Sequence, residues 1–102
     1  MMFYNLSKGR DLGPVQIADN FVTRFKGLLG QRAQSYQGGL WLKPCNSIHT
    51  LGMRDAIDVL FLSRQLEVLK IVYAIQPGKL WVGCWSAHSV LESFSGAWSQ
   101  EK

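Results

Sequence analysis

An unbroken apolar run with one carboxylate inside it constrains the fold of this chain most strongly. Residues 56–62 read Ala-Ile-Asp-Val-Leu-Phe-Leu, and a second run, Leu66 to Ile75, follows the connection Ser63-Arg64-Gln65. Two apolar runs around a three-residue connection are typical of a β-hairpin. A strand that is apolar at nearly every position is covered on both faces. We therefore predict a central sheet strand with Asp58 buried in it.

The clearest helical signal lies at residues 19–30. Asp19 or Asn20 can cap the first turn, and Gly30 is suited to end the helix. An apolar stripe at helical spacing is formed by Phe21, Phe25, Leu28 and Leu29. The rest of the chain reads as five to seven short strands without alternating helices. We expect an α+β domain with a mainly antiparallel, barrel-like β-sheet and one principal helix over about residues 19–30.

Size and charge narrow the classes of protein to which this chain can belong. The 102 residues form one domain, 1–102, with a frayed tail expected over residues 95–102. Eleven basic residues against seven acidic ones give a net charge of +4, which favours anionic partners. No apolar run is long enough to span a membrane. No secretory signal is visible and the two cysteines are too few for a disulfide scaffold, so we expect a cytoplasmic protein.

The segment from Lys43 to Asp58 gathers the most chemically diverse side chains, which are Lys43, Cys45, His49, Thr50, Arg54, Asp55 and Asp58. Loops beside rigid strands often carry function. A buried carboxylate needs a partner, and Arg54 or backbone N–H groups are the nearest candidates for Asp58. Asp58 is then either a satisfied core carboxylate or a group that orients a ligand or moves a proton. The Arg54 guanidinium suits a carboxylate or phosphate.

Two alternatives use the cysteines and histidines. Cys45 and His49, with Asp55 or Asp58 orienting the imidazole, would form a nucleophile and base for a hydrolase or transferase. The spacing C-x-x-x-H occurs twice, and a zinc site would consist of Cys45, His49, Cys84 and His88. A spacing of four in an extended strand separates the ends by roughly 13 Å, so a turn would be needed. Without one, these are two thiols and two unrelated imidazoles.

Tryptophan suggests stacking surfaces. The chain has four, Trp41, Trp81, Trp85 and Trp98, which together with basic residues could stack single-stranded nucleic acid. No basic run accompanies them, so nucleic acid is not the favoured partner. If Trp81 and Trp85 are exposed, they would equally suit the ring of a sugar.

Four segments carry a resemblance to a known family. Residues 24–30 read RFKGLLG, residues 38–41 read GGLW, residues 49–62 read HTLGMRDAIDVLFL, and Val90-Leu91-Glu92 is followed by Gly96. Over about residues 15–97 the sequence resembles the domain-of-unknown-function 192 family. The motif positions are Thr50, Met53, Arg54, Asp58, Glu92 and Gly96.

The resemblance implies a small, mainly β domain with a helix packed across a barrel-like sheet. It implies no activity, because none is established for the family. Members commonly have an aromatic residue where this chain has Gly52. They often continue past the closing glycine into another short element, and a site completed by such an element would here be missing or come from a partner.

The sequence therefore predicts a non-catalytic binding module without a cofactor, for a small polar or anionic ligand or for a partner protein. Its site would consist of Lys43, Cys45, His49, Thr50, Met53 and Arg54, supported by Asp58 and Glu92. The alternatives are the thiol enzyme and the structural zinc protein, and the oligomeric state stays open.

Overall fold

The computed structural model describes residues 2–5, 10–34, 36 and 38–96. In chain order the elements are β1 (Met2–Asn5), β2 (Arg10–Ala18), α1 (Phe21–Lys26), β3 (Gly39–Leu42), β4 (Ser47–Ile48), β5 (Ile57–Leu62), β6 (Val68–Ile75), β7 (Val82–Gly83) and β8 (Ser89–Phe94). Most of the predicted frayed tail, residues 97–102, lies outside the described residues. Within the described residues, no helix has the length and apolar character needed to cross a membrane.

The main sheet is mixed and open. Its strand order is β1-β2-β3-β8-β5-β6, and β2 pairs with β3 in parallel while the other neighbours are antiparallel. Most neighbours are antiparallel as predicted, but the sheet is mixed, and the predicted barrel-like form is wrong because β1 and β6 are edges and the sheet of described strands does not close. The reason is the connection from β2 through α1 to β3: parallel neighbours need such a long crossover, and local sequence patterns do not report it.

The predicted hairpin is present. β5 and β6 pair antiparallel around the connection that begins at Ser63, and β5 is buried along its whole length, as is its other neighbour β8. Ile57, Val59 and Phe61 contribute to one apolar cluster, and Leu60 and Leu62 to another. Alternate residues of a strand point to opposite faces, so this strand is covered on both.

Asp58 is buried in β5 and stabilises an irregularity in the hairpin. Its Oδ1 accepts hydrogen bonds from the Ala74 N–H at 2.7 Å and the Ser95 hydroxyl at 3.1 Å, and its Oδ2 from the Gly96 N–H at 3.2 Å. Ala74 has a φ of 54°, beside a register shift between Ile57 and Val59. The carboxylate thus satisfies backbone groups where the regular ladder is interrupted.

The helix is shorter than predicted. Asn20 caps it through a reciprocal pair with Thr23, but α1 ends at Lys26 because Gly27 leaves the helix with a φ of 50°. A side chain strongly disfavours that conformation, whereas glycine adopts it readily. The expected helix over residues 19–30 is therefore wrong in extent, and one principal helix is not a feature of this mostly β fold. Leu28 is buried after the helix, whereas Phe25 of the predicted apolar stripe is 64% exposed; the side chain of Phe21 lies outside the described residues.

Candidate ligand-binding pocket

A cavity of about 310 Å³ lies beside the turn that follows α1. Its walls come from residues 24–29, from β4 with its flanking loops, and from Leu80 and Trp81 before β7. Glu92, on β8, also lines it. Concave sites with few polar groups in an apolar lining are the usual form of small-molecule sites.

Glu92 is the polar group of greatest consequence in this cavity. It shares its strand face with Val90 and Phe94 of the apolar core and is only 3% exposed. Its Oε1 is buried and has no hydrogen-bond partner among the described residues. The Leu28 N–H donates a hydrogen bond to the carboxyl group. Buried polar atoms are nearly always paired, so an unpaired carboxyl oxygen beside a cavity requires an explanation.

Burial also changes the acidity of this group. Loss of solvation raises the pKa of Glu92 from its ordinary 4.5 to about 7, and the Leu28 hydrogen bond offsets part of that rise. The close approach of the chain depends on Gly27, because a Cβ there would lie 2.9 Å from Oε1. The turn after α1 thereby covers the carboxyl group.

Cys45 lines the cavity as a protonated thiol. Its Sγ donates to the Ser47 carbonyl at 3.0 Å, and its N–H donates to the His88 carbonyl. Burial raises the pKa of the Cys45 thiol, and the negative charge of Glu92 adds to that rise. A thiol of raised pKa is a poor nucleophile at neutral pH.

His49 fixes the loop after β4 against α1. Its Nδ1 accepts from the Leu51 N–H at 3.2 Å, so the proton is on Nε2, which donates to the Phe25 carbonyl at 3.3 Å. The Phe25 and His49 rings lie 5.2 Å apart. Both ring nitrogens are occupied by backbone groups, and Cys45 has a different partner, so the two residues do not form a nucleophile–base pair.

The remaining predicted site residues divide between the cavity and other places. Met53 is buried in the cavity wall. Thr50 is buried in a turn, where its hydroxyl donates to the Gln76 carbonyl and accepts from the Lys79 N–H, both at 2.8 Å. Lys43 places its Nζ 4.2 Å from the centre of the Trp41 ring.

Arg54 lines a second pocket of about 390 Å³, here called the Arg54 groove, together with Arg32, which pairs with Asp55 at 2.9 Å. That ion pair lowers the pKa of Asp55. The partners of Asp58 are those described above, so the predicted contact between Arg54 and Asp58 does not form. The structure thus brings together Cys45, His49, Met53 and Glu92, and it places Lys43, Thr50, Arg54 and Asp58 elsewhere.

The four residues of the hypothetical zinc site do not assemble. Within residues 2–5, 10–34, 36 and 38–96, no three His, Cys, Asp or Glu side chains converge as metal ligands. The Cys45 and Cys84 segments do lie side by side through backbone hydrogen bonds, since the Cys84 N–H donates to the Asn46 carbonyl. This backbone contact brings the two segments together, but among the described residues the four donors do not converge on one point.

The mouth of the cavity is apolar and basic; the sequence analysis considered Trp81 as a stacking surface but did not include the mouth residues in the predicted site. Exposed apolar side chains there are Phe25, Leu51, Leu80 and Trp81, and the basic ones are Arg24 and Lys26. Trp81 is 55% exposed, and its ring covers Gly83 so closely that a Cβ there would overlap it. Trp81 and Gly83 are two residues apart and therefore share one face of a strand. This spacing is the sequence feature from which the packing of the Trp81 ring over Gly83 could have been predicted.

Comparisons with known proteins agree with the fold. A family model described as "DUF192: Uncharacterized ACR" matches residues 5–102. "UPF0127 protein PF1050" of Pyrococcus furiosus is 32% identical over 98 residues, covering 90% of this chain and 82% of that protein. These matches confirm the resemblance described from the motifs.

Two solved structures share the architecture. A protein of unknown function from Novosphingobium aromaticivorans DSM 12444 has a TM-score of 0.74 at 14% identity, covering 98% of this chain and 85% of that one. The structure of "a putative transcription regulator" from Sinorhizobium meliloti 1021 has a TM-score of 0.80 at 20% identity, covering 97% and 81%. At these identities the likeness shows the fold alone.

Proposed function

This chain belongs to the DUF192 family, and we propose that it is a non-catalytic binding module whose cavity takes a small polar ligand through Glu92. The observation that carries the proposal is the unpaired, buried Oε1 of Glu92 at a cavity of about 310 Å³. An unmet buried acceptor costs on the order of 1–3 kcal/mol. A ligand that donates a hydrogen bond to Oε1 would recover that energy, and because this oxygen is closed to solvent the turn at Gly27 has to shift to admit the donor.

The proposal favours a polar ligand over an anionic one. An anion in the cavity would meet the Glu92 carboxyl group, whose charged form repels it. The basic groups that could attract an anion, Arg24 and Lys26, lie at the mouth, and Arg24 already donates to the Asp19 carbonyl at 3.1 Å. Arg54 and Lys43, expected to meet an anion, are outside this cavity.

The competing proposal of a thiol enzyme has less support. Its nucleophile, Cys45, has a raised pKa, and its base, His49, uses both ring nitrogens on backbone partners. The orienting carboxylate Asp58 is itself occupied by three donors. A binding role does not require any of these groups to leave its present hydrogen-bond partners.

The test is a fragment screen of neutral, cationic and anionic small molecules by two-dimensional NMR on the ¹⁵N-labelled protein. We expect hits to shift amide resonances of Gly27–Leu29 and Ile48–Leu51. Glu92→Leu, which keeps a side chain of similar size but removes both oxygens, should abolish them. Asp55→Asn is the matched control, because it neutralises a carboxylate outside the cavity and should bind as the wild type does. Hits that cluster at the Arg54 groove, or that survive Glu92→Leu, would contradict the proposal.

A further inference from the structure

We infer that the ligand class is a neutral ring polyol, a sugar, which stacks on Trp81 and places a hydroxyl group at Glu92. This inference rests on the proposed function and narrows it to one chemistry. Three independent features of the cavity support it: its mixture of charges, the fixed tryptophan face, and the hydrogen-bonding character of the carboxyl group.

The charges around the cavity disfavour ionic ligands of either sign. Lys26 and Arg24 border the opening, and Glu92 is the acidic residue in the lining. A cation drawn to Glu92 would pass two positive side chains, and an anion drawn to those side chains would meet a carboxyl group inside. A neutral molecule with many hydroxyl groups meets neither penalty and still supplies donors.

Trp81 offers a partly exposed ring that packs against the backbone at Gly83. Its indole lies directly over Gly83, where the missing side chain lets the ring approach the chain. The ring lines the cavity and is 55% exposed. A rigid aromatic face loses little conformational entropy when a ligand covers it, and the C–H face of a sugar ring is flat and apolar enough to do so.

A hydroxyl group matches Glu92 in either protonation state. A carboxylate only accepts hydrogen bonds, whereas a carboxylic acid also donates one. A hydroxyl group can donate to the first and accept from the second. Because the pKa of Glu92 lies at about 7, both forms are populated near neutral pH, and an ammonium group could serve only the charged one.

Trp85 extends the platform beyond the cavity. It is 84% exposed, and its ring centre lies 6.0 Å from that of Trp81 with the planes at 41°. A second sugar unit attached to the one at Trp81 would have an aromatic surface to cover. We therefore expect linked sugars to bind more tightly than single ones, and only that difference to depend on Trp85.

The experiment measures binding of simple sugars and their disaccharides by NMR and by tryptophan fluorescence. Probes are glucose, galactose, mannose and N-acetylglucosamine, with sorbitol as the acyclic control and methylammonium and acetate as charged controls. Concentrations reach about 50 mM, which nearly fills a site with a millimolar dissociation constant. We expect at least one ring sugar to shift Gly27–Leu29, and Trp81→Ala to weaken it by about tenfold, in line with the usual contribution of aromatic stacking.

The variants separate the two proposals. Trp85→Ala should leave a single sugar unaffected and remove the advantage of disaccharides. If methylammonium or a neutral non-sugar fragment binds with dependence on Glu92 while the sugars do not, the sugar inference is overturned and the proposed function stands; if only acetate binds, both are overturned. If neither sugars nor the wider fragment set bind in the cavity, both are overturned. Equal binding of a sugar to the wild type and Trp81→Ala would also refute the stacking role.

Discussion

Replacing the buried Glu92 with glutamine should remove a loss of folding stability that the wild type undergoes as the pH rises. Glu92 has a pKa of about 7 in the folded chain against 4.5 when solvated. Between these values the unfolded chain releases a proton that the folded chain retains, so folding stability falls as the pH rises from 4.5 through 7. At about 1.4 kcal/mol per pH unit, the loss is roughly 3 kcal/mol. Glu92→Gln cannot titrate and should escape it.

The assay is urea unfolding of the wild type and Glu92→Gln at a series of pH values from 4 to 8. This range spans the ordinary pKa of 4.5 and the raised pKa of about 7 of Glu92. The variant's free energy of unfolding, relative to wild type, should increase by roughly 3 kcal/mol between the acidic and the neutral end and then level off. Subtracting wild type removes the groups common to both proteins.

Asp55→Asn is the control for this measurement. The pKa of Asp55 is lowered by the Arg32 hydrogen bond from an ordinary 3.8. The stabilisation that the Asp55 carboxylate gives the folded chain is therefore present above its ordinary pKa and is lost only in stronger acid. The difference in the free energy of unfolding between Asp55→Asn and the wild type should then stay constant across the same pH range. A flat difference for Glu92→Gln as well would refute the reasoning, because it would mean that the carboxyl group is solvated.

Three further predictions test the surroundings of the cavity. Thr50→Val removes two hydrogen bonds and should lower the free energy of unfolding by about 1–3 kcal/mol in urea, whereas Thr50→Ser, which retains the hydroxyl, should stay close to wild type; equal losses would argue against the hydroxyl's role. Gly83→Ala should displace the Trp81 ring and change its fluorescence emission, and an unchanged spectrum would contradict the close contact. In a Cys84→Ser background, alkylation of Cys45 by iodoacetamide should accelerate only above the ordinary thiol pKa of 9.0, since burial raises it; a midpoint below that value would favour the thiol-enzyme alternative.

Local features of this fold were predictable from sequence. The β5–β6 hairpin follows from two adjacent apolar runs, and the burial of Asp58 follows from its neighbours in β5. The partners of Asp58 were not predictable, because Ala74 and Gly96 reach it from β6 and from the turn after β8. Arg54 is close in sequence, yet the partners are set by sheet register.

Long-range features of the fold could not be predicted from the sequence for the same reason. The parallel pairing of β2 with β3 depends on the crossover through α1, and the helix ends where Gly27 takes a positive φ that pattern alone does not reveal. Glu92 entered the predicted site only through the family motif. Its role as the unpaired group of a cavity becomes visible when the turn after α1 covers it.

The most direct test of the account is the titration of the Glu92 carboxyl carbon by ¹³C NMR, without and with the tightest-binding sugar. We expect a midpoint near 7 in the free protein, and a carboxyl carbon resonance that shifts when the sugar is bound. A midpoint near the ordinary 4.5, or a resonance that no bound sugar shifts, would contradict the assignment of Glu92 to the site.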